Sequence, residues 1–92
     1  MQTYEAVVIL NAKMTEEETT EVNKKVTEVF SSNGEVVSVD DWKTKKLAYV
    51  VKHETEGRYF LYTFNAEANH VAEIERLLRI NASVLKYMII KK

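Results

Sequence analysis

A cluster of basic and aromatic side chains in the middle of the chain is the feature best suited to chemistry. Residues 41–49 read Asp-Trp-Lys-Thr-Lys-Lys-Leu-Ala-Tyr, so Trp42 is followed closely by Lys43, Lys45 and Lys46. Ammonium groups neutralise the phosphates of a nucleic acid, and an aromatic ring can stack on an unpaired base. This spacing therefore indicates contact with a polyanion, and nucleic acid is the first candidate.

The charge is distributed unevenly, although the formal net charge of the chain is only −1. Residues 1–41 contain three basic and nine acidic residues, whereas residues 42–53, the first basic segment, contain four lysines and no acid. Residues 54–75 are acidic again, and residues 76–92, the second basic segment, contain five basic residues and no acid. A polyanion responds to this local field and not to the net charge. The two segments together favour a nucleic-acid partner.

The candidate phosphate contacts come from these two segments and from the acidic stretch between them. They are Lys43, Lys45, Lys46, Lys52, Arg58, Arg79, Lys86, Lys91 and Lys92. A single lysine is most often a solvated side chain, so the hypothesis depends on the segments as a pair. Arg58, Lys91 and Lys92 rest on their charge alone. Trp42 has two interpretations, a base-stacking ring or a large anchor packed at a strand bend, and we favour the anchor.

Other chemistry finds little support in the sequence. The chain has no cysteine, and His53 and His70 lack the spacing of metal ligands, so neither a disulfide nor a metal site is expected. Phosphate-binding loops, nucleophile elbows and zinc-protease motifs are missing, so we expect neither an enzyme nor a cofactor. The length fits a single domain over residues 1–92. The apolar runs are too short for a signal or a membrane span, and we expect a soluble cytoplasmic protein.

The first helix has the clearest local signals. Thr15 and Glu18 form a capping box, and three acidic residues in the first turn suit the helix dipole. The apolar residues that follow lie on one helical stripe. They are Val22, Val26, Val29 and Phe30. Gly34 is expected to end the helix in the left-handed conformation.

The remaining elements are four strands and a second helix. The strands are expected at residues 3–11, at 35–51 with a bend at 42–46, at 58–64 after a turn at 53–57, and at 84–90. Asn69 is expected to cap the second helix, whose apolar stripe is Val71, Ile74, Leu77 or Leu78, and Ile80. The order β-α-β-β-α-β predicts an α+β, ferredoxin-like fold. In that fold a four-stranded antiparallel sheet carries both helices on one face.

The first and last strands are apolar on both faces, although two helices cover only one face of such a sheet. We place six residues toward the helices, namely Tyr4, Ala6, Val8, Leu10, Tyr87 and Ile89. Val7, Ile9, Met88 and Ile90 are then left on the opposite face, on neighbouring strands. Some exposure of apolar residues is ordinary, but a covering protein partner explains four large ones better. These four residues are therefore the candidate partner contacts.

Three stretches of the chain, taken in order, resemble the bacterial small-subunit ribosomal protein six family. They are Tyr4-Glu5, then Asp41-Trp42 with the basic residues and Leu47-Ala48-Tyr49 that follow, and finally residues 79–88. The resemblance covers essentially the whole chain. It implies a ferredoxin-like fold and an architectural role in the central domain of 16S rRNA. It also implies a heterodimer with small-subunit ribosomal protein eighteen.

The resemblance also bears on single residues. Lys45 and Lys46 match a basic pair before Leu-Ala-Tyr, and Arg79 and Lys86 match basic positions near the end of the chain, so RNA contact is implied for these four. The chain departs from the family pattern at Lys43, where a glycine commonly follows the tryptophan. It departs also at Ala12 and Val50, where prolines are usual, and at Gln2-Thr3, where arginines are frequent.

Two other protein classes share the topology. A single-stranded RNA-binding module of the RNA-recognition-motif type would stack bases on aromatic residues of the third strand, and residues 57–64 faintly resemble its signature. The first strand, however, lacks the matching aromatic residue. An acylphosphatase-type enzyme would need a glycine-rich anion loop after the first strand, and residues 11–14 do not form one. We keep the RNA-recognition module as the alternative.

Overall fold

The computed structural model describes residues 1–51 and 54–92. Lys52, a candidate phosphate contact, and His53 lie outside the described residues. The elements in chain order are β1 (Gln2–Asn11), α1 (Glu16–Asn33), β2 (Gly34–Val51), β3 (Glu54–Ala66), α2 (Ala68–Arg79) and β4 (Val84–Lys91). The strands form one antiparallel sheet in the order β2-β3-β1-β4. The ferredoxin-like arrangement expected from the sequence is confirmed.

Helix α1 begins as its sequence predicts. The Thr15 hydroxyl accepts a hydrogen bond from the Glu18 amide at 3.2 Å, and the Glu18 carboxylate accepts one from the Thr15 amide at 3.1 Å. The helix ends differently, because Gly34 has a φ of 177° and is extended, not left-handed. A Cβ at Gly34 would lie 2.1 Å from the carbonyl oxygen of Asn65. Glycine is needed here because β2 starts in close contact with β3.

The hairpin of β2 and β3 is longer than the sequence indicated. The predicted turn at residues 53–57 is wrong in its extent, because β3 already begins at Glu54, which pairs with Val51. Gly57 lies inside the strand and pairs with Asn11 of β1. Glycine and polar residues are typical of turns, but here pairing with two neighbouring strands outweighs their low strand propensity.

Helix α2 differs at both ends from the expectation. Asn69 lies inside the helix and Glu67 occupies the N-cap position without a side-chain hydrogen bond. Ile74 and Leu78 are buried as predicted, but Ile80 is 66% exposed. Ile80 is the C-cap residue, so the chain leaves the helix before this side chain can reach the core.

Both helices pack on the same side of the sheet, which we call the covered face. The buried side chains there include Val26 and Phe30 of α1 and Phe60, Tyr62 and Phe64 of β3. The Phe30 ring lies 4.9 Å from that of Tyr62 and 4.7 Å from that of Phe64, measured between centroids. The Tyr62 hydroxyl donates a hydrogen bond to Asn23 at 2.5 Å, and burial raises the pKa of Tyr62. The opposite side, the open face, carries no helix among the described residues.

Candidate nucleic-acid and partner interface

The register of the sheet sorts the side chains of the open face into rows across the strands. Tyr59 pairs with Lys43 of β2 on one side and with Ile9 of β1 on the other, and Ile9 pairs with Lys86 of β4. This first row therefore has a lysine at each end, one from each basic segment. Three strand spacings of about 4.8 Å separate these two lysines by roughly 14 Å. The fold brings together two segments that are far apart in sequence.

The second row is apolar. Leu61 pairs with Asp40 and Val7, and Val7 pairs with Met88, while Ile90 lies one row further along β4. Val7 and Leu61 are half-buried, whereas Met88 is 53% and Ile90 is 51% exposed. Val7, Met88 and Ile90 thus lie on the face on which the sequence placed them. The sequence expectations did not include Leu61, a further apolar residue of this row, although its alternation with Phe60 indicated this face.

Ile9 is the exception on the open face. It lies in the first row as predicted, but only 8% of it is exposed, so the prediction that it is available to a partner is wrong. Gly57 on the neighbouring strand has no side chain, and a Cβ there would lie 2.3 Å from Cγ2 of Ile9 and 3.4 Å from Cδ2 of Leu47. Ile9 therefore fills the space that the glycine leaves open.

A β-bulge presents the aromatic end of the first basic segment. The register with β3 shifts between Asp41 and Lys43, so Trp42 is the extra residue, and Lys43 has a left-handed φ of 66°. The bend predicted for this part of the strand is confirmed. Trp42 does not pack into the core and is 40% exposed, contrary to the anchor interpretation. The bulge instead turns Trp42 toward solvent.

Lys45 lies between two aromatic rings of the open face. Its ammonium group is 5.1 Å from the centre of the Trp42 ring and 5.9 Å from that of Tyr59. Lys46 is exposed and pairs in register with Glu56, and Lys43 is exposed with its ammonium 3.3 Å from the carboxylate of Asp41. Cations over aromatic faces at exposed sites are attracted by only about 0.5–1 kcal/mol. Because the Lys45 contacts and the exposed Lys43–Asp41 pair are both weak, and Lys46 is exposed, the three ammonium groups remain able to reorient toward phosphates.

Arg58 does not behave as the sequence suggested. Its side chain is only 12% exposed and lies on the covered face, where it donates to Asp41 at 2.9 and 2.5 Å and to Glu16 at 3.0 Å. The Arg58 hydrogen bonds hold the pKa of Asp41 well below its usual range, and Asp41 in turn raises the pKa of Arg58. Two carboxylates already bind the Arg58 guanidinium, which disfavours the predicted phosphate contact of this residue.

The second basic segment divides between the two ends of the sheet. Arg79 and Lys86 line a groove of about 270 Å³ between the end of α2 and the start of β4, at the same end as Lys43. The other lining residues are Leu78, Val84, Leu85 and Tyr87. Lys91 pairs with Tyr4 near the opposite end, and the Lys92 amide donates to Thr3 at 2.9 Å. Lys91 and Lys92 are therefore not brought together with the other candidate residues.

The remaining candidates carry little chemistry. Nδ1 of His70 lies 3.2 Å from the backbone oxygen of Asn33. No group of three potential metal ligands occurs among the described residues. No helix within the described ranges is long and apolar enough to cross a membrane. For the RNA-recognition alternative, the strand-three aromatic residues Phe60, Tyr62 and Phe64 are buried under the helices, so only Tyr59 of β3 could meet a base.

Comparison with known proteins gives a consistent result. A family model described as Ribosomal protein S6 matches residues 3–91. The small ribosomal subunit protein bS6 of Clostridioides difficile is 41% identical over 90 residues, which is 98% of each chain. The corresponding protein of Campylobacter lari is 42% identical over 92 residues, covering 99% of this chain and 74% of its own.

Solved structures share the fold. The crystal structure of 30S ribosomal protein S6 from Thermotoga maritima has a TM-score of 0.92 at 22% identity, covering 99% of this chain and 87% of its own. The C-terminal domain of the MgtC protein from Mycobacterium tuberculosis has a TM-score of 0.64 at 12% identity, covering 100% and 88%. At these identities the likeness concerns the fold alone, and the sequence matches carry the family relationship.

Proposed function

Because the chain belongs to the Ribosomal protein S6 family, and is thus a protein of the small ribosomal subunit in the cytoplasm, we propose that it binds the central domain of 16S rRNA as a heterodimer with small-subunit ribosomal protein eighteen. Its role is architectural and it catalyses no reaction. The partner uses the second row of the open face, and the RNA uses the first row together with further cations at the same end of the sheet. The rRNA domain and the partner are those that the family resemblance implies, and the residues of the open face support contact with an RNA and with a protein.

The single observation that supports RNA binding best is the first row of the open face. Its two lysines, Lys43 and Lys86, come from the two basic segments, and Lys45, Lys46 and Arg79 lie at the same end of the sheet. Several cations at one end of a molecule neutralise successive phosphates and release counterions, which is the main source of affinity for structured RNA. We propose these five residues as the RNA contacts, with Lys91 and Lys92 peripheral.

The second row supports a protein partner. Leu61, Val7 and Met88 form a continuous apolar line, and Ile90 extends it along β4. Burial of such side chains contributes about 25 cal/mol per Å² before the costs of association. RNA is too polar to cover this line, so we propose that protein eighteen packs on it. The first row, with its two lysines, then borders the area that the partner buries on the open face, and the two proteins present one RNA-binding surface.

The partner proposal can be tested by binding measurements with purified components. We expect Met88→Asp to abolish the heterodimer, because a carboxylate would be buried against apolar side chains. The matched control is Ile80→Asp, since Ile80 is also an exposed apolar residue but lies at the end of α2. We also expect the pair to bind the rRNA central domain more tightly than either protein alone. Normal pairing of the Met88→Asp variant would contradict the proposed interface.

A further inference from the structure

We propose that Arg58 and Asp41 are positioning residues for the RNA-binding surface. Their ion pair, extended to Glu16 of α1, fixes the bulge of β2 that holds Lys45 against Trp42 on the open face. This inference rests on the RNA-binding function proposed above, and it adds a determinant on the covered face, on the other side of the sheet from Lys45.

The carboxylate of Asp41 fastens both sides of the bulge. Its Oδ1 accepts hydrogen bonds from the Lys43 amide at 2.8 Å and from Nε of Arg58 at 2.9 Å. Its Oδ2 accepts from Nη2 of Arg58 at 2.5 Å and from the Lys43 ammonium at 3.3 Å. Trp42 is the residue between these anchor points. The left-handed φ of 66° at Lys43 is unfavourable for a side chain with a Cβ, so this conformation needs such support.

Arg58 connects the bulge to the rigid part of the fold. Its Nη1 donates to Glu16 in the first turn of α1 at 3.0 Å, and its guanidinium lies 5.5 Å from the centre of the buried Phe60 ring. Arg58 is thus held by Asp41, by Glu16 and by the Phe60 ring, and only 12% of its side chain is exposed. The position of the bulge is thereby coupled to helix α1 and to the core.

The consequence appears on the open face. Lys45 follows Lys43 by two residues, so alternation along the strand places it on the same side as Lys43 and Tyr59. The attraction between its ammonium and the two rings is weak at an exposed site and cannot by itself determine the strand register. The bulge fixes that register. Without it, a shift by one residue would move Lys45 toward the opposite face.

A simple charge effect predicts the reverse of positioning, and this difference makes the inference testable. Asp41→Asn removes a negative charge beside Lys43 and Lys45, which by Coulomb's law should strengthen the attraction for anions. If Asp41 acts by positioning, the same substitution should weaken it, because the lysines lose their arrangement. The two explanations therefore predict effects of opposite sign.

The first readout needs no RNA. Trp42 is the single tryptophan of the chain, so quenching of its fluorescence by iodide, relative to neutral acrylamide, reports the cations around it. We expect Asp41→Asn to lower the relative iodide quenching roughly to the level of Lys45→Met, because both changes take the Lys45 ammonium away from the Trp42 ring. Glu73→Gln, which removes an exposed carboxylate paired with Arg76 on α2, is the control and should change nothing. Greater iodide quenching in Asp41→Asn would overturn the proposal.

The second readout is the affinity of the heterodimer for the rRNA central domain. We expect Asp41→Asn to weaken binding about threefold to tenfold, and its effect to be non-additive with that of Lys45→Met. With Lys86→Met, which lies on the other edge of the sheet, the effects should be additive. Additive behaviour with Lys45→Met, or tighter binding, would contradict positioning.

A third variant guards against loss of the fold. If Asp41→Asn unfolds the chain, Glu16→Gln decides the question, because it removes only the exposed partner of Arg58 and should give smaller changes of the same sign. Unchanged quenching and affinity in a folded Glu16→Gln variant would then reject the proposal. If the variants show the expected changes in quenching but the wild-type pair does not bind RNA, the proposed function is refuted and the positioning role of Asp41 stands.

Discussion

The two faces of the sheet are built from the same strands and yet serve different purposes. On β3, Phe60, Tyr62 and Phe64 are buried under the helices, while Tyr59 and Leu61, which alternate with them, are half-buried on the open face. The covered face contains packed rings and the Tyr62 hydroxyl, which is bonded to Asn23. The open face contains a lysine row beside an apolar row. Because strand side chains alternate, neighbouring residues can be divided between stability and binding, and substitutions should separate the two properties.

The largest effect on this comparison should come from the centre of the covered face. Phe30→Ala should lower the free energy of unfolding by about 3–5 kcal/mol, because it leaves a cavity between two other rings. Val26→Ala, which is equally buried, should cost about 1–3 kcal/mol. Chemical denaturation of both variants would measure these values. Met88→Ala on the open face is the control and should stay within about 0.5 kcal/mol.

Ile9 is the residue of the open face whose substitution should affect stability. It lies on the open face but is buried, because its side chain fills the space that Gly57 leaves open. Ile9→Asp should therefore lower the free energy of unfolding by about 2–4 kcal/mol. Met88→Asp, on the same face but exposed, should be nearly neutral for stability. Denaturation curves for the two variants make the test. Equal stability of both would mean that Ile9 is as accessible as its neighbours on that face.

A smaller effect is expected from the ion pair between Asp41 and Arg58 on the covered face. The folded-state pKa of Asp41 lies below its unfolded value, so its ionised form stabilises the protein at neutral pH. This contribution, about 1–2 kcal/mol, should be fully present above about pH 4 and lost as the pH falls through the folded pKa. We expect the difference in unfolding free energy between wild type and Asp41→Asn to shrink in acid. A difference independent of pH would show that the carboxylate charge is not the cause.

The fold could be predicted from local signals because those signals agreed with one another. The capping box at Thr15, the apolar stripe through Val26 and Phe30, and the alternation in the strands all indicated the same topology. The division of β1 and β4 between the two faces also followed from alternation. The ends of elements were less predictable, as Gly34 and Asn69 demonstrate. Their roles depend on contacts with distant strands and on where each helix actually starts.

The site was predicted less completely, since its decisive features are tertiary. The sequence offers Arg58 as a cation, but only the fold places it beside Asp41 and Glu16, where it is occupied. The burial of Ile9 depends on Gly57, which lies on the neighbouring strand. The alignment of Lys43 with Lys86 follows from strand register, which composition does not reveal. Charge clustering therefore identified the segments, and pairing across the sheet determined which residues meet.

The central claim is that the lysine-rich end of the sheet binds rRNA through phosphates, and the salt dependence of binding tests it most directly. The measurement is the dissociation constant of the heterodimer for the 16S central domain over a range of salt concentrations. Changing Lys45 and Lys46 together to alanine should weaken binding and reduce the slope of log affinity against log salt by roughly one to two units. Changing Lys24 and Lys25, an adjacent exposed pair on α1, should leave both unchanged. Unaltered affinity and slope in the Lys45/Lys46 variant would contradict the account.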